Sequence, residues 1–165
     1  SLRGFSGDPS FITKAEVMND KWKKEHENES FKLQDTPLYD KFPEVRELIA
    51  PYGDEVHRVR FMKLSPNGGE LERHTDQVDC EQGGTKGNQA RLHFPIKTNP
   101  DVIFTVWGVD GNKSVVNMKC GECWFLDTRK PHTAINGGKE DRIHLVVDIK
   151  VESVLYNKIV GAING

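Results

Sequence analysis

The 165 residues are 36% hydrophobic and 29% charged, a composition that excludes disordered and fibrous proteins and fits one globular domain. A formal charge of −2, from 23 basic and 25 acidic side chains, gives no support for binding nucleic acid or a membrane surface. An odd number of cysteines, three, argues against a secreted disulfide framework, and no apolar run approaches the ~20 residues that cross a bilayer. We therefore expect a cytoplasmic protein that binds neither nucleic acid nor membrane.

Two helices are predicted in the N-terminal third of the chain. Residues 10–29 carry apolar side chains near helical spacing, with charges on the opposite face, and Ser10 is suited to the N-cap position. A second, shorter helix is predicted over 43–50, because a proline fits its first position and Pro51 ends it.

From residue 56 onwards the sequence predicts a β-rich region. Strand-like runs are separated by Gly-, Asn- and Pro-rich turns, and no helical pattern lies between them. This spacing predicts a β-sandwich or barrel, followed by a short closing helix over 152–163. The predicted strands are 56–64, 70–76, 89–98, 102–109, 114–119, 123–126, 133–135 and 142–151.

Three of these strands carry a pair of polar side chains separated by one residue. Side chains at i and i+2 of a strand point to the same side, so each pair shares a face. Such alternation fits the solvent-facing side of an antiparallel sheet and also a barrel interior lined by polar groups, and periodicity alone leaves both interpretations open. The pairs are His74 with Asp76, Arg91 with His93, and Arg142 with His144.

His74, Asp76 and His132 form a candidate metal site. Two histidines and one carboxylate on one face of an octahedron leave three positions open, an arrangement typical of Fe(II) oxygenases. A His-x-Asp pattern alone is common by chance, and His132 is expected in a loop after the strand 123–126. The stronger signal is Arg142, ten residues after His132, because a fixed guanidinium can bind the far carboxylate of a dicarboxylate co-substrate through two parallel hydrogen bonds.

Each candidate also has an ordinary structural interpretation. Arg142 could form a surface ion pair, and His93 could be a structural histidine. His144 shares the face of Arg142 but would serve equally well as a supporting partner, so we leave it off the metal. The C-x-x-C pattern of Cys120 and Cys123 lacks a second pair, and its central Gly-Glu is better explained as the tight turn of a hairpin.

Segments 91–96, 121–127 and 142–148, together with His132, resemble the aspartyl/asparaginyl β-hydroxylase family of oxygenases. The resemblance covers roughly residues 56–151. It implies a mainly-β fold, a double-stranded β-helix of the jelly-roll or cupin type with N-terminal flanking helices. We accordingly expect one domain, with a helical flank over 1–54, a β-helix core over 55–151 and a C-terminal tail over 152–165.

The resemblance also implies a reaction. Fe(II), O₂ and 2-oxoglutarate would hydroxylate an unactivated C–H bond of an amino acid or a peptide residue, with succinate and CO₂ as co-products. Animal members have glycine where this chain has Asp76, so the resemblance points to the bacterial branch, which acts on free amino acids such as proline. The implied Fe(II) ligands are His74, Asp76 and His132, and the implied 2-oxoglutarate contacts are Arg142 at the distal carboxylate and His93 with Arg91 near the chelating end.

Two other functions fit the same scaffold. A non-catalytic cupin-type protein that binds a metal or small ligand would keep the metal residues without needing an inward Arg142. A zinc or manganese isomerase would typically have a site richer in histidine. Loop 78–89, polar and directly after the metal-binding strand, is hypothesised to be a lid over the substrate, and a plain hairpin loop is the alternative.

Overall fold

The computed structural model describes residues 1–11, 20–27, 32–76, 89–151 and 153–164. Short 3₁₀ segments at Tyr39–Lys41 and Ala50–Glu55 flank the second of its helices. The helices are α1 (Asp20–Glu25), α2 (Pro43–Ile49) and α3 (Ser153–Asn164). The strands are β1 (Arg3–Gly4), β2 (Gln34–Asp35), β3 (Val56–Leu64), β4 (Gly69–His74), β5 (Gln89–Lys97), β6 (Val102–Trp107), β7 (Lys113–Val116), β8 (Trp124–Leu126), β9 (His132–Asn136) and β10 (Arg142–Lys150).

All eight predicted strands are present, as β3 to β10, but two details of the prediction are wrong. His132 is the first residue of β9 rather than part of a loop. Asp76 lies beyond the end of β4, because the register of that strand shifts between Leu71 and His74 and the backbone N–H of Asp76 then donates to the carbonyl of Thr128 at 2.8 Å. The two-residue strands β1 and β2 were not predicted, since such short segments show no periodicity.

The predicted helices have mixed outcomes. Helix α2 and the C-terminal helix α3 are confirmed to within one residue at each end. The N-terminal helix does not begin at Ser10, because the backbone N–H of Ser10 donates to the Asp8 carboxylate at 2.8 Å in a turn. α1 is the part of that prediction that is confirmed, and residues 12–19 and 28–29 lie outside the described residues. Residues 78–88 of the hypothesised lid loop, 78–89, lie outside them as well.

The chain divides into two compact units. The described residues of the first unit are 1–11, 20–27, 32–60, 89, 147–151 and 153–164, and the second unit comprises Phe61–Asp76 and Ala90–Val146. The expectation of a single domain, with its boundaries at 54 and 151, stays a prediction. None of the helices in the described part of the chain is long and apolar enough to cross a membrane.

Strand pairing follows a nested, antiparallel pattern. β4 pairs with β9, β5 with β8 and β6 with β7, while β3 and β10 are hydrogen-bonded neighbours. The first strand of the series therefore pairs with the last, the second with the second-last, and so on inwards. This order is that of the jelly roll, or double-stranded β-helix, so the predicted mainly-β fold is confirmed by the topology itself.

In the second unit a hydrophobic cluster holds one face of β9 in place. Phe104, Met118, Leu126 and Ala134 are buried together. Ala134 lies opposite Phe104 in the β6–β9 ladder, and His132 lies opposite Val106. Because side chains alternate along β9, His132 points to the same side as Ala134, into this cluster.

The first unit is organised around β1, β2 and β3. β1 lies between the other two, with Arg3 opposite both Asp35 and Val59. Its core includes Leu2 and Val59, which are fully buried, and Leu155 of α3. This unit also buries Asp148 of β10, whose Oδ2 accepts hydrogen bonds from two arginines of β3.

Candidate metal centre

Three side chains of the second unit converge on one point, and they are the three that the sequence predicted. The ligand atoms of His74, Asp76 and His132 all lie within 4.8 Å of one another. His74 Nε2 is 3.3 Å from Asp76 Oδ1, and His132 Nε2 is 3.9 Å from Asp76 Oδ2. The two histidines lie opposite each other in the β4–β9 ladder, with ring centroids 4.3 Å apart. Neighbouring strands therefore supply two ligands directly, and the irregular end of β4 brings in the third.

Hydrogen bonds fix the tautomer of both histidines in the same way. His74 Nδ1 lies 2.6 Å from the carbonyl oxygen of Glu72, and His132 Nδ1 lies 2.9 Å from that of Lys130. A carbonyl can only accept, so each Nδ1 carries the proton and donates it. Each Nε2 is therefore left with a lone pair, and both lone-pair nitrogens belong to the cluster. Donation of Nδ1–H to a carbonyl is also the usual support of a metal-binding histidine.

Burial favours the metal-binding form of His132. The residue is 2% exposed, and its ring stacks on Phe104 with centroids 5.5 Å apart. Burial lowers the pKa of His132 below its ordinary value, against the opposing effect of its bond to Lys130. Because metal ions bind the neutral imidazole, this environment keeps His132 ready to act as a ligand near neutral pH. Two nitrogens and one carboxylate are a donor set that suits a divalent first-row transition metal.

Arg91 contacts the carboxylate of the cluster. Its Nη1 forms an ion pair and hydrogen bond with Asp76 Oδ2, and the arginine side chain is 8% exposed. The sequence prediction assigned Arg91 to the co-substrate, and its pairing with Asp76 was not anticipated. A buried guanidinium at this position restricts the orientation of the Asp76 carboxylate.

Arg142 is buried, and the described residues offer it no counter-ion. It is 4% exposed, its Nε–H has no hydrogen-bond partner, and no carboxylate of the described residues pairs with it. Burial lowers its pKa to about 10, so the group remains positively charged at neutral pH. The surface ion pair considered for Arg142 is therefore excluded within the described chain, where Asp141 pairs instead with Lys63 at 3.0 Å. An uncompensated buried cation is costly, which indicates that an anion belongs beside it.

The polar faces of β5 and β10 are interior faces. Arg91, His93, Arg142 and His144 are all at most 7% exposed. The interpretation of these faces as solvent-facing edges is therefore wrong, and that of an interior lined by polar groups is correct. His93 and His144 meet there, with their Nδ1 atoms 3.5 Å apart.

Several contributors to the site were missed in the sequence. Phe104 lies between His132, on which it stacks, and His93, which it meets edge-on with centroids 6.0 Å apart. Glu72 and Lys130 act through backbone carbonyls, which sequence patterns do not identify. Cys120 and Cys123 are exposed beside a turn closed by the N–H of Glu122 on the carbonyl of Lys119. The tight turn is confirmed, but the hairpin is not, because β7 pairs with β6 and β8 pairs with β5.

Comparison with known proteins identifies the family of this chain. The sequence model of the aspartyl/asparaginyl β-hydroxylase family matches residues 12–151. The chain belongs to this family. One curated relative is the L-proline cis-4-hydroxylase of Rhizobium meliloti (strain 1021), which is 30% identical over 128 residues. That alignment covers 74% of this chain but 42% of the relative, so the chain spans less than half the length of that hydroxylase.

The solved structures that match this chain are less similar to it in sequence. Oxalate oxidase in complex with glycolate gives a TM-score of 0.45 at 14% identity, over 59% of this chain and 43% of that one. A predicted oxalate decarboxylase from Thermotoga maritima gives 0.40 at 19% identity, over 64% and 73%. Scores of this size carry no argument about function in this β-hydroxylase family member, and its fold assignment rests on the strand pairing.

Proposed function

We propose that this chain is an Fe(II)- and 2-oxoglutarate-dependent hydroxylase that acts on a C–H bond of an amino acid. The observation that carries the proposal is the combination, in one compact unit, of a three-ligand donor set with a buried arginine that no anion of the described residues contacts. The first feature calls for a metal and the second for an acidic ligand. Membership of the β-hydroxylase family supports the same reaction.

The metal would be held by His74, Asp76 and His132. Their facial arrangement would leave coordination positions for a co-substrate and O₂. When bound, Fe(II) supplies the activation of O₂ that couples decarboxylation of 2-oxoglutarate to hydroxylation of the substrate. The protein's own contribution is to orient these ligands, through the Nδ1–H donations of both histidines and the Arg91–Asp76 ion pair, and to keep the interior dry.

The co-substrate would be held at two ends. Arg142 would pair with the distal carboxylate of 2-oxoglutarate, which would supply the missing anion. Arg91 would lie near the metal-chelating end, since its guanidinium already contacts the metal-side carboxylate of Asp76. His93 is 6% exposed on the same strand face as Arg91 and would belong to the same site.

A free amino acid is the proposed substrate class. The name of the related L-proline cis-4-hydroxylase gives it a free amino acid as substrate, and we extend this substrate class to our chain. A residue within a peptide is the second possibility. We also keep the cytoplasm as the proposed location.

Turnover of 2-oxoglutarate tests the proposal. The purified chain would be assayed with Fe(II), ascorbate, O₂ and a panel of free amino acids beginning with L-proline. Mass spectrometry would follow succinate and a substrate product heavier by one oxygen atom. We expect succinate and oxygenated product in equal amounts with at least one amino acid. Substitution His132→Ala should abolish both. His26 directly follows α1 and lies outside the cluster, so His26→Ala should leave both unchanged.

A different result would favour the non-catalytic alternative. If the protein binds metal and 2-oxoglutarate but makes no succinate above the blank with amino acids or peptides, it is a cupin-type binding protein. If it binds neither, the assignment of the triad and of Arg142 is wrong.

A further inference from the structure

Strand β10 carries two buried polar side chains that share a face, and each has a nitrogen without a hydrogen-bond partner in the described part of the chain. Arg142 and His144 are separated by one residue, so they point to the same side of the strand. They are 4% and 1% exposed. Arg142 Nε and His144 Nε2 are both fully buried, and neither has a hydrogen-bond partner among the described residues. Two neighbouring unsatisfied nitrogens indicate a ligand that satisfies both, because each would otherwise carry the full cost of its desolvation.

His144 is a neutral imidazole. Burial, and secondarily the positive charge of Arg142, lower the pKa of His144 to about 3. A neutral imidazole carries one N–H donor and one bare nitrogen acceptor, and the partner of one nitrogen decides the state of the other. The state of Nε2 is therefore decided at Nδ1.

His144 Nδ1, whose partner sets the protonation of Nε2, is in contact with His93. The Nδ1 atoms of His144 and His93 are 3.5 Å apart, and one must donate to the other if they are hydrogen-bonded. When His93 donates, His144 Nδ1 is the acceptor and its Nε2 carries the proton. When His144 donates, its Nε2 is bare and would direct a lone pair towards any anion beside Arg142. A carboxylate at Arg142 thus selects the first arrangement.

We propose that His144 donates its Nε2–H to the carboxylate that Arg142 binds, and that His93 holds His144 in the required tautomer. The inference rests on the proposed function and deepens it, because it adds a neutral donor to the charged one at the distal carboxylate of 2-oxoglutarate. It also narrows the role of His93, which serves the co-substrate through His144. The ligand class is a dicarboxylate whose far end accepts from a guanidinium and an imidazole side by side.

Three substitutions at position 144 separate this role from a structural one. The amide nitrogen of glutamine can reach the position of Nε2, whereas that of asparagine lies nearer the position of Nδ1. Leucine removes both. Binding of 2-oxoglutarate to the anaerobic, Mn(II)-loaded protein would be measured by calorimetry for the wild type, His144→Gln, His144→Asn and His144→Leu. Mn(II) affinity and the unfolding temperature of each variant would be recorded alongside.

A direct contact predicts a specific order of affinities. His144→Gln should bind 2-oxoglutarate within about threefold of the wild type. His144→Asn and His144→Leu should bind it about 10- to 100-fold more weakly, the range for a hydrogen bond to a charged group. Mn(II) affinity should be the same in all four proteins.

Other outcomes overturn the inference in distinguishable ways. Rescue by asparagine but not by glutamine would mean that His144 acts only on His93. Equal affinity in all four proteins would remove His144 from the site and leave the proposed function intact. If the wild type itself does not bind 2-oxoglutarate, the proposed function fails and the inference fails with it.

The tautomers can be read directly in the wild-type protein, which needs no variant to fold. Nitrogen-15 spectra of the imidazole rings distinguish a protonated nitrogen from a bare one. With 2-oxoglutarate bound to the Zn(II)-loaded protein, His144 should be protonated at Nε2 and His93 at Nδ1. A bare His144 Nε2 in that complex would refute the contact.

Discussion

At the scale of single residues, the charge of Arg142 should have opposite effects on ligand binding and on the stability of the ligand-free protein. Because the guanidinium is buried and no anion of the described chain lies beside it, it destabilises the ligand-free protein. We expect Arg142→Met to weaken 2-oxoglutarate binding at least ~100-fold, the scale of losing one partner of a buried ion pair at ~3 kcal/mol or more. The unfolding temperature of the ligand-free protein should be unchanged or higher. Calorimetry and thermal unfolding measure the two effects.

Arg129 provides the matched control. It pairs with Asp127 at 2.7 Å, but its side chain is 50% exposed, so Arg129→Met should change neither quantity appreciably. Mn(II) affinity should survive Arg142→Met. If metal binding collapsed, or if the ligand-free protein lost several kcal/mol, Arg142 would be a structural residue.

A second prediction at the scale of residues concerns the loss of stability at acidic pH that is due to His144. The pKa of His144 is about 3 in the folded protein, against an ordinary value of 6.5, so the unfolded chain takes up a proton first as the pH falls. The stability that His144 contributes is complete above pH 6.5 and is lost progressively towards pH 3. Between pH 7 and pH 5 the loss from this group is about 2 kcal/mol. Urea unfolding at both pH values should therefore show a smaller loss in His144→Gln than in the wild type.

Comparing the wild type with His144→Gln isolates the effect of His144 from that of other titrating groups. His132, whose pKa is also lowered, is present in both proteins and contributes equally to both. An equal loss of unfolding free energy between pH 7 and pH 5 in both proteins would show that His144 is not held neutral by the fold.

Residue identity could be predicted where the chemistry is local, and not where it depends on a neighbouring strand. The spacing of His74 and Asp76 predicted a shared metal, and their ligand atoms do converge with that of His132. The ion pair between Arg91 and Asp76 joins residues 15 apart through the interior, so no local pattern contains it. That His144 Nε2 has no hydrogen-bond partner within the described ranges likewise depends on everything packed around it.

At the scale of elements, alternation identified strands but not the side that faces the interior. The pattern of β5 and β10 was compatible with both faces, because both faces of these strands are in fact buried along most of their length. The interior polar face was distinguishable only by what its residues could do. Asp76 shows the limit of element prediction, since the end of β4 is set by a register shift against β9.

Strand β10 offers an element-scale prediction through Asp148. This carboxylate is 0% exposed and accepts from Arg58 Nε at 2.9 Å and from Arg60 Nη2 at 3.2 Å, both on β3. Asp148→Asn removes the negative charge that compensates these arginines, of which Arg58 is buried. We expect a loss of about 3–5 kcal/mol in the free energy of unfolding, measured in urea.

The exposed pair of Asp141 and Lys63 is the control for this prediction. It has the same type of contact, at 3.0 Å, but the side chains are 35% and 57% exposed. Asp141→Asn should therefore cost less than about 1 kcal/mol. Equal losses for the two substitutions would contradict the assignment of Asp148 as the buried anion of this unit.

At the scale of the whole molecule, the nested strand order explains how distant parts of the sequence form one site. β4 pairs with β9, so His74 and His132, 58 residues apart in the sequence, lie directly opposite each other. Topology could be anticipated from the number and spacing of strands and from the family resemblance. The energetic state of the site could not, because a donor set and an uncompensated guanidinium are properties of the folded interior.

This arrangement predicts that two ligands stabilise the protein in a fixed order, the metal first and the dicarboxylate second. A ligand that binds only the folded state at 100 times its dissociation constant adds about 2.7 kcal/mol, and the effects of metal and dicarboxylate should therefore appear as successive rises in the unfolding temperature. Mn(II) alone should give the first rise, and 2-oxoglutarate should add the second only when Mn(II) is present, because it chelates the metal. Asp76→Ala should lose both rises, whereas Arg142→Met should keep the first and lose the second. Survival of the second rise in Arg142→Met would show that the dicarboxylate binds elsewhere. A rise with 2-oxoglutarate in the absence of metal would show that its binding does not depend on chelation.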